Sequence, residues 1–306
     1  MLLIHACLVS VISSWAAPVA VRFREGSLHG FLVLKTLDGA PIAEGDLTQV
    51  PQGNHITSRL NYHFKDGSRE EETVVFSQRG YFRLISYHMV QKGPAFQHDT
   101  DIVIAPATGQ VTVRYADKDG SEKTESERLK LPPDLANGLV LLLLKNLAHD
   151  AAPIEVSMVV ATPKPRLVKL AISAQGKEPF SLAGSSREAL HYAIKVEIGG
   201  LAGLVAPWIG KQPPDSHIWI LGGDAPTFVK SETLSYMNGP MWRTELVAPV
   251  WTAEATAEPK SANAANSRYC ARSRRREPAT CRMALICADP PTRDTELPTL
   301  MAGRTP

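Results

Sequence analysis

Residues 189–198 read ALHYAIKVEI. Leu190, Tyr192, Ile194, Val196 and Ile198 alternate with Ala189, His191, Ala193, Lys195 and Glu197. Successive side chains of a strand point to opposite faces, so this stretch lays an apolar row against a polar one. One greasy face and one wet face is the pattern of an antiparallel sheet covered on one side. The same period of two recurs over 55–64, where Ile56, Leu60, Tyr62 and Phe64 oppose Thr57, Arg59, Asn61 and His63. It returns at Val111, Val113 and Tyr115, and at Val168, Leu170 and Ile172.

The turns agree with the strands. Asp66-Gly67, Asp119-Gly120 and Asn238-Gly239 separate alternating runs, as tight hairpins with positive φ require. Strands are expected near 28–36, 55–65, 70–78, 81–91, 100–105, 110–116, 121–129, 154–162, 166–173, 188–198, 216–221, 226–236 and 241–248. No repeat of 20 to 50 residues is evident, which disfavours a propeller.

One segment breaks this rhythm. LPPDLANGLVLLLLKNL (131–147) begins with prolines and an acid, Asp134, and ends with Lys145 and His149, the punctuation of a helix over 133–148. Its apolar face is too wide for a surface helix and the run is too short to span a bilayer. A helix this greasy needs cover, most simply inside a curved sheet. The expected fold is therefore mainly β, α+β by one helix: a large curved antiparallel sheet, half-barrel or open barrel, with the apolar helix packed in its concavity.

The ends differ from this body. Residues 2–16 are apolar and finish in Ser14-Trp15-Ala16, which reads as a secretion signal cut near Ala16 or Ala20, although no Lys or Arg precedes the apolar run. From about 253 the chain loses periodicity, with Tyr269 its only aromatic and nine Lys/Arg against six Asp/Glu. Such a composition reads as a disordered basic tail, and it also resembles read-through in a shifted GC-rich frame. The expected division is a signal peptide at 1–20, one β-rich domain at 21–252 and the tail at 253–306. Cys7 lies in the signal and Cys270, Cys281 and Cys287 in the tail, with no zinc-knuckle spacing. The body has no cysteine, so it offers neither a disulfide framework nor a thiol nucleophile.

Thirty-three Lys+Arg balance 31 Asp+Glu, which removes the basic footprint of a nucleic-acid binder. No dinucleotide fingerprint, P-loop, G-x-S-x-G elbow or H-E-x-x-H occurs. His98-Asp99-Thr100-Asp101 is the one local cluster of metal-capable side chains, and it reads as a solvated turn. Glu70-Glu71-Glu72 beside Arg69 reads as a charged strand start able at most to hold a cation weakly. The sequence implies no catalytic residue, no metal and no cofactor.

The runs EGSLHGFLVLKTLDG (25–39), FKDGSREEETVVFSQRG (64–80), LPPDLANGLVLLLLKNL (131–147) and VEIGGLAGLVAPWIGKQPPDSHIWILGGDAPTFVKSE (196–232) resemble a family of uncharacterised exported bacterial β-rich proteins. The family has no assigned activity, so no residue acquires a role from it. More distantly, an exported many-stranded sheet with an apolar helix is similar to the periplasmic half-barrel carriers of lipoproteins and lipids, an analogy at the level of fold.

The leading expectation is a non-enzymatic protein, periplasmic or otherwise associated with the envelope. It would bind a hydrophobic or amphipathic ligand, or an apolar part of a partner protein, in a pocket of the curved sheet. Expected lining residues are Leu139, Leu142, Leu143, Tyr62, Phe64, Tyr192, Trp208 and Trp219. No nucleic acid and no transmembrane span are expected. Two alternatives stand beside it: a hydrolase with a polar site on the open face around His55, Arg59, His63 and His191, and a scaffold that docks partners through sheet edges.

Overall fold

In a computed structural model of the chain, residues 18–117, 120–148, 150–161, 164–182, 185–197 and 212–247 are described. The chain divides into two units, 1–250 and 251–306, and all described residues belong to the first. The expected signal segment before Pro18, the expected lining residue Trp208 and the expected basic tail lie outside the described residues.

The strands are β1 (Leu28–Thr36), β2 (Pro41–Gln52), β3 (His55–Phe64), β4 (Arg69–Arg79), β5 (Tyr81–Lys92), β6 (Thr100–Ala105), β7 (Gln110–Ala116) and β8 (Glu122–Arg128). A short helix α1 (Val140–Asn146) follows, then β9 (Ile154–Val160), β10 (Arg166–Leu182), β11 (Ser185–Glu197), β12 (Ser216–Leu221), β13 (Thr227–Leu234) and β14 (Met241–Val247). They form one 14-stranded antiparallel sheet in the order β8-β7-β6-β5-β4-β3-β2-β1-β14-β13-β12-β11-β10-β9. Every neighbour in sequence is a neighbour in the sheet, except that β1 pairs with β14 and β8 does not pair with β9.

The sheet is therefore open, and the segment joining its two edges carries the helix. A twisted sheet of more than about ten strands curls rather than staying flat. Here the main core joins Val74, Phe76, Ile104 and Val111 of one arm to Val156, Leu170, Tyr192 and Ile220 of the other, with Leu139, Leu142, Leu143 and Leu144 between them. Those arms stand far apart in strand order, so only a curved sheet wrapping α1 brings them together. Register shifts after Val75, Ala174 and Trp219 supply local bends. A second core of Leu32, Leu34, Tyr62, Phe64, Phe96 and Trp242 fills the middle of the sheet.

Both edges are protected. β8 (EKTESER) is almost entirely charged or hydroxylated and exposed, which blocks strand addition. β9 is covered by residues 134–137. Leu135 bridges Ser157, the Ala136 N–H donates to the Ser157 carbonyl, and the Asn137 amide exchanges two hydrogen bonds with the Val159 backbone.

That edge cover corrects the expected helix. Residues 133–139 are not helical, because Asp134 and Asn137 are committed to β9 and the backbone turns at Gly138 with φ +68°. A Cβ at Gly138 would stand 2.4 Å from Val74, so glycine is what lets the helix enter so close to β4. The sequence reading also omitted β2. Its period-two signal is broken by Gly45, Pro41 and Pro51, yet Gly45 is the position where the Tyr62 ring lies across the strand, 2.5 Å from any added Cβ. β10 extends to Leu182, nine residues past the expected end, through the bulge at Gly176.

Residues 18–25 form a strap across the mouth of the curve. The Val21 N–H donates to the Gly80 carbonyl, and Gln78 reads the Glu25 backbone in both directions. At the helix end the buried Asn146 accepts from the Arg22 and Phe23 N–H groups at 2.7 Å each while donating to the Leu142 carbonyl. Asn146→Ala leaves two strap amides unpaired. The variant is expected to lose about 3 kcal/mol in urea denaturation, with faster amide exchange at Arg22 and Phe23 than in the native protein.

Candidate functional site

The strap, α1 and the β10–β11 hairpin enclose a half-open cavity of about 330 Å³, within the size range of small-molecule sites. Leu144, Leu147, Leu190 and Ile220 make its apolar wall, and the turn at Gly222 and Gly223 forms a lip. Arg22, Lys145, Lys177 and Glu188 bring charge to the same space. The alternation of β11 delivers Leu190, the cross-strand pair Leu190–Ile220 continues the wall onto β12, and the Leu190–Lys177 pair turns it polar on β10.

Two of the three cations are already committed. Lys145 pairs with Glu25 at 2.5 Å, both mostly buried, and Lys177 reaches Glu188 at 3.6 Å on the exposed rim. Arg22 lies over the Phe23 ring at 5.6 Å and has no acidic partner among the described residues. One row further along the same face of β11, Tyr192 pairs with Ile218. Its buried hydroxyl has no hydrogen-bond partner among the described residues, and burial raises its pKa above the ordinary tyrosine value, opposed by the nearby Arg22.

The eight expected lining residues fall in several places. Leu139, Leu142, Leu143 and Tyr192 belong to the main core, and Leu139 and Leu143 also border a void of about 10 Å³ beside Pro18 and Val19. Tyr62 and Phe64 belong to the second core. Trp219 faces outward, Trp208 lies outside the described residues, and none of the seven described residues borders the larger cavity. Their immediate neighbours do: Leu144 and Leu147 on the helix, Leu190 and Ile220 on the sheet. The phase of each strand was legible, but not how deep each row would sit.

The interior also holds a polar group that the charged run at 69–72 concealed. Val74 and Phe76 fix the inward phase of β4, and counting back by twos puts Glu70 and Glu72 inside with them, while Glu71 points out to Arg69. Gln91 donates to Glu70 at 2.6 Å, and its amide also reaches the Ser235 carbonyl at 3.2 Å. The Tyr87 hydroxyl hydrogen-bonds Glu72 and lies 3.4 Å from Met89 Sδ. Tyr62 bonds Thr244. Burial raises the carboxyl pKa of both glutamates, Glu70 to about 7 with a further push from Glu72. Burial and the two carboxylates likewise raise Tyr62 and Tyr87.

The remaining polar candidates separate. His55, Arg59 and His63 are exposed on the outer wall of β3, whereas His191 stands on β11, six strands further along the sheet. In the 98–101 cluster, Asp99 accepts from the Gly93 N–H and Asp101 pairs with His88 and Arg114. Ser157, Lys169 and Asp134 form a hydrogen-bonded trio, with Lys169 Nζ 2.8 Å from Ser157 Oγ, but Ser157 is 0% exposed and no substrate could meet its hydroxyl. Among the described residues no group of three or more metal-capable side chains converges, and no helix is long and apolar enough to cross a membrane.

No family model matches the chain, and no curated protein matches its sequence. Among solved structures, it is similar to a β-barrel-like protein of a domain of unknown function, DUF1849, from Brucella abortus, at 9% identity and a TM-score of 0.42, covering 75% of this chain and 99% of that one. It is also similar to the hypothetical lipoprotein YmcC from Escherichia coli, at 9% identity and a TM-score of 0.33, covering 73% and 86%. Neither is described by an activity.

The two half-buried glutamates make stability pH-dependent. Glu70 keeps its proton up to about pH 7 in the folded protein, whereas the unfolded chain releases it near the ordinary 4.5. The folded state therefore holds the extra proton in that window, and stability declines as pH rises through it. Glu70→Gln removes the part of this decline that Glu70 contributes. The variant is expected to match the native protein near pH 4 and to exceed it by about 2 kcal/mol at pH 8 in denaturant titrations.

Proposed function

We propose that this chain is an exported, non-enzymatic protein of the cell envelope that holds an amphipathic ligand with an acidic head in the cavity between the strap, α1 and the β10–β11 hairpin. One observation carries this reading: a half-open space of about 330 Å³ with an aliphatic wall on one side and Arg22, without an acidic partner among the described residues, on the other. Apolar surface removed from water contributes roughly 25 cal/mol per Å², so an acyl or similar chain against the half-buried Leu147 and Leu190 supplies affinity without specific chemistry. The Arg22 guanidinium fits a carboxylate or phosphate head by paired N–H donors. Leu142, Leu143 and Tyr192 form the layer behind that wall and hold it in place.

Export is supported by the signal-like residues 2–16 and by a folded body without cysteine. The strap supports a cut after Ala16. Pro18 and Val19 border the small void beside Leu139, and Ala20 bridges Tyr81, so a cut after Ala20 removes contacts that a cut after Ala16 keeps. The mature protein is expected to begin at Ala17. The intact mass of secreted protein checks this, and a start at Val21 would refute it.

Ligand binding is checked with a dansyl-labelled fatty acid. Leu190→Trp, which fills the cavity from its sheet side, is expected to weaken binding at least tenfold with an unchanged far-ultraviolet spectrum. Arg22→Glu is expected to weaken the acid several-fold while leaving the corresponding labelled alcohol nearly unaffected. Equal binding by native and Leu190→Trp protein would place the ligand elsewhere.

A further inference from the structure

The outer wall carries a second organised cluster, on the opposite side of the sheet from the cavity. Trp219 of β12 is only 7% exposed although it points outward. Its neighbour across β11, His191, stacks on it with ring centroids 4.4 Å apart and planes 5° from parallel, and Lys230 of β13 places its ammonium 3.7 Å from the ring. Glu178 of β10 accepts from the indole Nε1–H at 2.8 Å and meets His191 Nδ1 at 2.8 Å. On its other side, His191 Nε2 lies 3.0 Å from His217 Nδ1. Glu232, paired with Arg243, is the cross-strand partner of His217 on β13.

These contacts fix the protons. A carboxylate only accepts, so His191 Nδ1 carries the hydrogen that faces Glu178, and a neutral His191 has a bare Nε2. His217 Nδ1–H then donates to it, giving a chain directed from His217 through His191 to Glu178. A ligating histidine held by a carboxylate at its second nitrogen is the arrangement that orients imidazoles in metal sites and raises their basicity.

We propose that His191 Nε2 and His217 Nδ1 form a two-imidazole site for a first-row divalent transition metal, with Glu178 as the positioning residue and water completing the coordination. Two nitrogens about 2.0–2.1 Å from one metal stand about 2.8–3.0 Å apart at a right angle and about 3.3–3.4 Å apart at the tetrahedral angle. The observed 3.0 Å is a hydrogen-bond separation that puts both nitrogens within reach of one metal after a small ring rotation, and copper(II) heads the affinity order for nitrogen ligands. Metal entry moves the His217 hydrogen from Nδ1 to Nε2, so the neutral pair binds without net proton loss. The charges around the pair, Glu178 and Glu232 against Lys230 and Arg243, balance, so the cation meets no excess of positive field.

The test titrates the full chain with copper(II) chloride and with nickel(II) sulfate. Calorimetry gives affinity, and tryptophan emission reports the site, because the His191 ring lies on Trp219. His217→Gln, which keeps a hydrogen-bond donor near His191 and preserves packing, is expected to weaken the site at least tenfold, and His191→Ala/His217→Ala to abolish it. Glu178→Gln is expected to weaken it about tenfold, while Trp219→Phe keeps the stoichiometry and loses the metal-dependent quenching. Copper(II) paramagnetic resonance is expected to show two equivalent-type nitrogen ligands in the native protein and none in the double variant. Native-like affinity in the double variant, or quenching unchanged by His217→Gln, overturns the proposal.

Discussion

Helix α1 is seven residues long and has almost no wet side. So short a helix cannot hold itself together in water and takes its stability from what packs around it. Val140 to Leu144 present leucine or valine in every direction, so a single flat sheet could cover only part of them. The sheet answers by curling until β4–β7 and β9–β12 meet the helix from two sides. Curvature, openness and the position of the cavity follow from that one requirement.

The helix reaches the concavity only because the chain is pinned just before and just after it. Before it, Asp134 and Asn137 are spent on the β9 edge and Gly138 turns against Val74. After it, Asn146 gathers the strap and Lys145 pairs with Glu25. The space between the last helical turn, the strap and the β10–β11 hairpin is the cavity. Leu144 and Ile220 of its wall belong to the main core, and Leu147 and Leu190 pack against that core.

Polar chemistry in this molecule has been sorted by face. Inside, Glu70 and Glu72 are tolerated because Gln91 and Tyr87 bond them and because burial keeps them protonated more readily. Outside, Glu178 accepts from the Trp219 indole and meets His191, organising two histidines and a tryptophan into one chain of contacts. The Ser157–Lys169–Asp134 trio shows the opposite outcome: reactive residue types at bonding distance, sealed under an edge cover and reduced to a structural clasp.

Twelve of the fourteen strands were legible from alternation to within a few residues, because a half-buried strand must alternate and a tight hairpin must be marked by glycine or asparagine. The inward phase of β4 was there to be read as well, but three adjacent glutamates looked like surface. By itself the sequence determined a curved antiparallel sheet with one greasy helix and a body without thiol chemistry. Tertiary structure alone decided that Gly45 is a strand position under Tyr62, that residues 133–139 cap an edge instead of starting a helix, and that Leu190 meets space where Tyr192 meets side chains. Periodicity specifies which way a side chain points. What stands opposite it depends on curvature, which no local pattern of residues encodes.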